Sequence, residues 1–225
     1  MSPRPQAILL DFYGTVVEDD DPVVAAICQE IAAASRTRAA ADEIASSWWR
    51  AFQELCAASY GSIFRCQRDI ERASLDLVLE QCDADVDAGE LSARLYDYWS
   101  APAAFPESLA VLTACPVPIC LVSNIDTSDL HAALAHLGIA FDYAVTSEDV
   151  RAYKPRREPF EQALALLGRS PHEVLHVGDS FSSDVMGVRA VGIPVLWINR
   201  KRRIAPVANL VAEDLRALPS ILSGE

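Results

Sequence analysis

The stretch AILLDFYGTVVEDD, residues 7–20, decides how the chain is read. An unbroken apolar run bounded by a turn signal marks a strand covered on both faces, as in a parallel sheet. This run ends on a single carboxylate, Asp11, and Gly14 and Thr15 follow at once. In open parallel sheets ligands bind at the carboxyl ends of the strands, so an acid at that edge is a candidate for chemistry. The tyrosine between acid and turn, Tyr13, needs its own explanation.

Four more segments share the buried-strand pattern: PICLVS (118–123), FDYAVTS (141–147), VLHVGD (174–179) and IPVLWIN (193–199). Helix-like segments separate the later ones: TSDLHAALAHLG, PRREPFEQALALLG and FSSDVMGVRAVG. The alternation predicts βαβ units, an α/β fold with a parallel sheet, and right-handed crossovers that place helices on both faces. Residues 18–100 break the rhythm. They hold no convincing strand, and their apolar residues recur three and four apart, which predicts amphipathic helices. A block this long is no ordinary loop. It is expected to form a second, smaller domain inserted after the first strand, so that 1–17 and 101–225 make the core and 18–100 the insertion.

The chain has 225 residues, about half of them hydrophobic, and a formal net charge of −13. That charge argues against a nucleic-acid partner, which needs clustered Lys and Arg. The basic run NRKRRI (199–204) is the exception and is read as a solvated loop. No apolar run is long enough to cross a bilayer, and the start, MSPRPQ, lacks the features of a signal peptide. A cytoplasmic protein with no membrane partner is expected. Six cysteines without C-x-x-C spacing read as reduced core residues, and the histidines, His131, His136 and His176 among them, as structural.

The strand ends deliver Asp11, then Ser123 and Asn124, then Lys154 in EDVRAYKP, then Asp179 and Asp184 in GDSFSSD. Each alone reads as a helix cap or a surface group; the ordered set is harder to dismiss. DFYGT, LVSN, YKP and VGDSFSSD resemble the four ordered motifs of the haloacid dehalogenase (HAD) superfamily of hydrolases. The resemblance covers nearly the whole chain. It implies a Rossmann-like core, a mobile helical cap of type 1 at residues 18–100, and covalent catalysis. Carried over by position, it makes Asp11 the nucleophile, Ser123 a donor to the transferring group and Lys154 the neutralising cation. It also has Asp11, Asp179, Asp184 and the backbone carbonyl of Tyr13 hold Mg²⁺. Thr15 and Asn124 fall beside these residues and are taken as substrate-binding.

Most phosphatases of this family carry a second aspartate where Tyr13 stands, as general acid and base. A phenol with pKa near 10 is a poor substitute at neutral pH. The L-2-haloacid dehalogenases of the superfamily share the Asp-x-Tyr-Gly-Thr motif, need no metal and lack the acid at the position of Asp179. WWRAFQEL (48–55) is similar to the cap segment that gives the haloacid its arginine, which makes Arg50 a substrate-binding candidate. The paired acids Asp179 and Asp184 favour a magnesium-dependent phosphatase acting on a small anionic, phosphorylated metabolite. The alternatives are a metal-independent dehalogenase and a catalytically weak ligand-binding relative. Substrate choice would lie with cap residues such as Trp48, Trp49, Tyr60, Phe64 and Arg65, which serve equally well as the cap's own small core.

Overall fold

A computed structural model describes residues 4–204 and 210–224. The first three residues of the MSPRPQ start lie outside the described residues. Six parallel strands form one sheet: β1 (Ala7–Leu10), β2 (Ile119–Ser123), β3 (Tyr143–Thr146), β4 (Val174–Gly178), β5 (Val195–Ile198) and β6 (Leu210–Ala212). Their order across the sheet is β3-β2-β1-β4-β5-β6. The α/β, Rossmann-like expectation is met. The chain moves outward from β1 to β3 and then returns to β4 on the other side. The crevice above β1 and β4 is therefore the switch point where such sheets bind ligands.

Burial on both faces explains the apolar runs. Ala7 and Leu9 pack on one side with Cys120, Val122, Phe160 and Trp197. Ile8 and Leu10 pack on the other with Leu121, Leu175 and Leu196. The short edge strand β6 was not legible in the sequence. It has three residues, two of them exposed, so it lacks the buried run that marks the others.

Residues 18–100 carry four α-helices, α1 (Asp21–Ala34), α2 (Ala41–Ala58), α3 (Gln67–Cys82) and α4 (Ala88–Ser100), as the periodicity indicated. Their buried residues, Ile27, Ile44, Trp48, Leu75, Leu91 and Trp99 among them, join Phe12, Val16 and Val17 in one apolar cluster. The later helices are α5 (Ser108–Thr113), α6 (Thr127–Leu137), α7 (Ser147–Val150), α8 (Glu158–Leu167), α9 (Met186–Arg189) and α10 (Leu218–Ser223). The segment FSSDVMGVRAVG, expected to be one helix, opens with a π-helical turn over Phe181–Val185 before the single turn of α9.

Polar contacts tie α3 to the sheet side. Asp126, just before α6, accepts hydrogen bonds from the amides of Gln67 (2.6 Å) and Arg68 (3.1 Å) at the start of α3. Arg68 pairs with Asp129, and the Tyr153 hydroxyl donates to the Arg65 carbonyl at 2.8 Å. Asp126 thus caps a helix that begins far from it in sequence. Asp126→Ala should cost about 1–2 kcal/mol of stability, the usual worth of an N-cap. Urea unfolding of the variant beside the native chain checks this.

Candidate active site

The site starts from the turn after β1. The amides of Val16 and Val17 both donate to the Phe12 carbonyl, at 2.8 and 3.1 Å, and the chain reverses tightly. Gly14 has φ +83°, a conformation that favours glycine. A Cβ there would stand 2.6 Å from Asp179 Oδ1, so glycine also lets the carboxylate of the loop after β4 approach this turn. Gly178 acts similarly: a Cβ would lie 2.4 Å from Asp184 Cγ.

Four strand ends then converge on a buried charge cluster. Lys154 Nζ donates to Asp11 Oδ1 at 2.6 Å and to Asp184 Oδ1 at 2.7 Å. Thr15 Oγ1 donates to the other Asp11 oxygen at 2.9 Å. Asn124 grips the Lys154 backbone: its side-chain amide donates to the Lys154 carbonyl at 3.1 Å and its Oδ1 accepts from the Lys154 amide at 2.7 Å. Asp184 is held further by the Ser180 amide (3.0 Å) and by His176 Nε2 (2.9 Å). An ionised carboxylate only accepts, so that imidazole nitrogen carries the proton. His176, read as structural, thus sets the position of Asp184. Ser123 ends β2, buried beside Asn124, and both line the same cavity as Asp11.

The electrostatics follow from three carboxylates around one lysine. Burial raises the Asp11 pKa to about 6, with the Asp184 charge adding to the rise and Lys154 opposing it. Burial and the charges of Asp11 and Asp184 push Asp179 up to about 8. Asp184 goes the other way. Burial disfavours its charge, yet Lys154 and His176 hold it well below the usual carboxylate range. Lys154 stays firmly protonated: burial opposes its charge, but Asp11 and Asp184 outweigh that.

Tyr13 is not placed for proton transfer. Its hydroxyl donates to the Trp99 carbonyl at the end of α4. Burial, with Asp129 and Asp20 nearby, raises its pKa far above that of a free phenol. It is a strut between the β1 turn and the inserted helices.

A cavity of about 490 Å³ opens above the cluster, walled on the far side by α1–α4. The face that α2 turns to it recurs at Ala45, Trp48, Trp49, Phe52 and Cys56, the spacing of one helical face. Arg50 falls between these positions, lies exposed, and its contact is with Ser47 at 3.5 Å. The structure therefore does not bring it to the other site residues. Of the five suggested specificity residues, Trp48 and Trp49 line the cavity. Phe64 stacks on Tyr153, Tyr60 lies under the Arg156 guanidinium, and Arg65 is exposed.

The basic run after β5 is more than a solvated loop. Arg200 pairs with Glu107 at 2.7 Å, lies over the Phe105 ring and donates to the Thr15 carbonyl at 3.0 Å. Lys201 pairs with Asp19 and Asp21 at the cavity mouth. The six cysteines are free, and among the described residues no helix is long and apolar enough to cross a membrane.

Comparison with known proteins agrees with this arrangement. The chain is 29% identical over 203 residues to an (S)-2-haloacid dehalogenase of Pseudomonas sp. (strain YL), covering 87% of this chain and 83% of the relative. It is 36% identical over 99 residues to a phosphoglycolate phosphatase of Yersinia pseudotuberculosis, 42% of each chain. The solved structure of the defluorinating L-2-haloacid dehalogenase Rha0230 superposes with a TM-score of 0.76 at 26% identity, over 97% of this chain and 95% of that one. Residues 5–192 match the family model for haloacid dehalogenase-like hydrolases, and the chain belongs to that family.

Proposed function

We propose that this hydrolase is a magnesium-dependent phosphatase of small molecules that works through a phosphoryl group carried on Asp11. The carboxylate cluster carries the reading. Ligand oxygens of Asp11, Asp179 and Asp184 lie within 4.8 Å of one another, an all-oxygen donor set of the kind Mg²⁺ takes. Lys154 balances one of the three charges, and the raised pKa of Asp179 reflects its burial first and then the repulsion that remains. A divalent cation fits that excess of negative charge. When bound, Mg²⁺ would offset repulsion between the carboxylates and an anionic phosphate.

The chain's own groups supply the rest. An Asp11 oxygen attacks phosphorus, and the bond to the leaving oxygen breaks. Water then attacks the same phosphorus, the bond to Asp11 breaks, and phosphate leaves. Thr15 and Lys154 hold the carboxylate in place, and Lys154 stays charged to stabilise negative charge building on the phosphoryl oxygens. Ser123 is the proposed donor to those oxygens, and Asn124 fixes the lysine. With Tyr13 bonded to Trp99, no acid stands two residues after the nucleophile, so the leaving group departs without proton help from that position.

Tyr13 and the likeness to the (S)-2-haloacid dehalogenase favour a second reading, displacement of halide from a 2-haloacid by Asp11. Against it, α2 offers the cavity Trp48 and Trp49 while Arg50 faces elsewhere, and no Arg or Lys of residues 18–100 lines the cavity.

Asp11→Asn should fold and lose at least about 10³ in turnover of an aryl phosphate; unchanged turnover would end the mechanism. Aryl and acyl phosphates should outpace alkyl phosphates, because general-acid help worth about 10²–10⁴ is missing. A rate flat across leaving-group pKa counts against that. Magnesium should raise the melting temperature of the native chain and leave Asp179→Asn flat, and chelator should abolish turnover. Halide release from a 2-haloacid undiminished in chelator would promote the dehalogenase reading instead.

The pH response tests the same cluster. In chelator, folded Asp179 keeps its proton up to about pH 8, whereas the unfolded chain releases it near 3.8. Asp11 acts in the same sense up to about 6. Through these two groups the folded state binds more protons than the unfolded one, so their share of stability should fall as pH rises from about 4 to about 8, with His176, whose pKa burial lowers, opposing them below about 6.5. Asp179→Asn should remove most of that slope in urea midpoints.

A further inference from the structure

We infer that the α3 wall of this cavity binds a protonated amine at the end of the substrate remote from Asp11, with Glu71 as its counter-ion. The inference rests on the cavity being the substrate site. Gln67 and Glu71 lie one turn apart on α3, and both line the cavity. Glu71 is 2% exposed, and neither of its oxygens completes a hydrogen bond among the described residues. Burial raises the Glu71 pKa, and Tyr96 and Ser92, its polar neighbours, oppose the rise. The Tyr96 hydroxyl nevertheless donates to the Arg68 carbonyl at 2.9 Å. The cation that acts on it, Arg72, is exposed and bonded to Asp76 at 2.9 Å. A buried carboxylate that completes no hydrogen bond is costly, so this one is fitted to a donor that a bound molecule brings.

The neighbouring walls narrow the donor's chemistry. Trp48 gives its indole N–H to Ser74 (3.0 Å), and Trp99 gives its own to Asp20 (2.8 Å). Both rings line the cavity with their N–H groups occupied, so they contribute apolar and π surface. Aromatic rings beside an acceptor-only carboxylate suit an ammonium, which gains from the ring faces as well as from the charge. The cations that line the cavity belong to the core: Lys154 is bound to Asp11 and Asp184, Lys201 to Asp19 and Asp21, and Arg203 acts on Asp179. The three cations that line the cavity are thus engaged by its aspartates, and Glu71 on α3 is left without one.

Calorimetric titration of the full chain in magnesium at neutral pH tests this without turnover. The probes are 2-phenylethylammonium, the isosteric alcohol 2-phenylethanol, and 3-phenylpropionate. The amine should bind about tenfold tighter than the alcohol, and the carboxylate weakest. Glu71→Gln keeps the size and removes the charge; it should weaken the amine about tenfold and leave the alcohol within about twofold. Equal affinity for amine and alcohol in the native chain, or amine affinity unchanged in Glu71→Gln, overturns the inference. If the variant does not fold, the native ranking alone decides. Hydrolysis of an aryl phosphate by the same preparation separates the two claims. Turnover without amine preference sinks the amine site alone, and amine preference without turnover sinks the phosphatase reading alone.

Discussion

The site depends on one buried ammonium. Lys154 Nζ joins Asp11, at the end of β1, to Asp184, in the turn after β4. These are adjacent strands on either side of the point where the strand order reverses. Both carboxylates and the amine are almost wholly shielded from water. Removing the lysine would leave the buried carboxylates uncompensated, which costs about 3–5 kcal/mol. That dependence explains why so much nearby structure serves the lysine. Asn124 clamps its backbone, Thr15 takes the free side of Asp11, and His176 and the Ser180 amide fix Asp184.

One lysine among three acids leaves the cluster short of positive charge, and burial together with that shortage pushes the Asp179 carboxyl up to about 8. Asp184 stays charged because Lys154 and His176 both touch it. The same residue type thus takes opposite protonation behaviour a few ångströms apart: Asp184 has both Lys154 and His176 beside it, Asp11 has the lysine alone, and Asp179 is bonded to neither. On the proposed reading a divalent cation would draw on this inequality, because Asp179, the acid not bonded to the lysine, would gain most from it.

Much of this was legible in the chain. Asp11, Ser123, Asn124 and Asp179 stand at or just past strand ends because apolar runs and turn residues fix those ends, and Lys154 and Asp184 follow in the connections after β3 and β4. Their convergence follows from the parallel topology. What the pattern missed has physical causes. β6 is short and half exposed, so it lacks a buried run. Arg50 was misplaced because a motif read along the chain ignores the helical angle that sets Trp48, Trp49 and Phe52 on the cavity face instead. Arg200 and Lys201 look like any solvated basic run until the fold carries Glu107, Asp19 and Asp21 to them. Tyr13 posed a chemical puzzle in one dimension; in three it is a hydrogen bond to Trp99, more than eighty residues away.

The central claim is that Asp11 itself carries the transferred group, and trapping that group tests it most directly. The native chain would be mixed with excess aryl phosphate in magnesium, quenched in acid during turnover, and digested for mass spectrometry. The expected result is a phosphoryl adduct on the peptide containing Asp11, lost once substrate is exhausted and absent from Asp11→Asn. Steady hydrolysis with no adduct on that peptide would contradict the account, as would an ester on Asp11 formed only from a 2-haloacid.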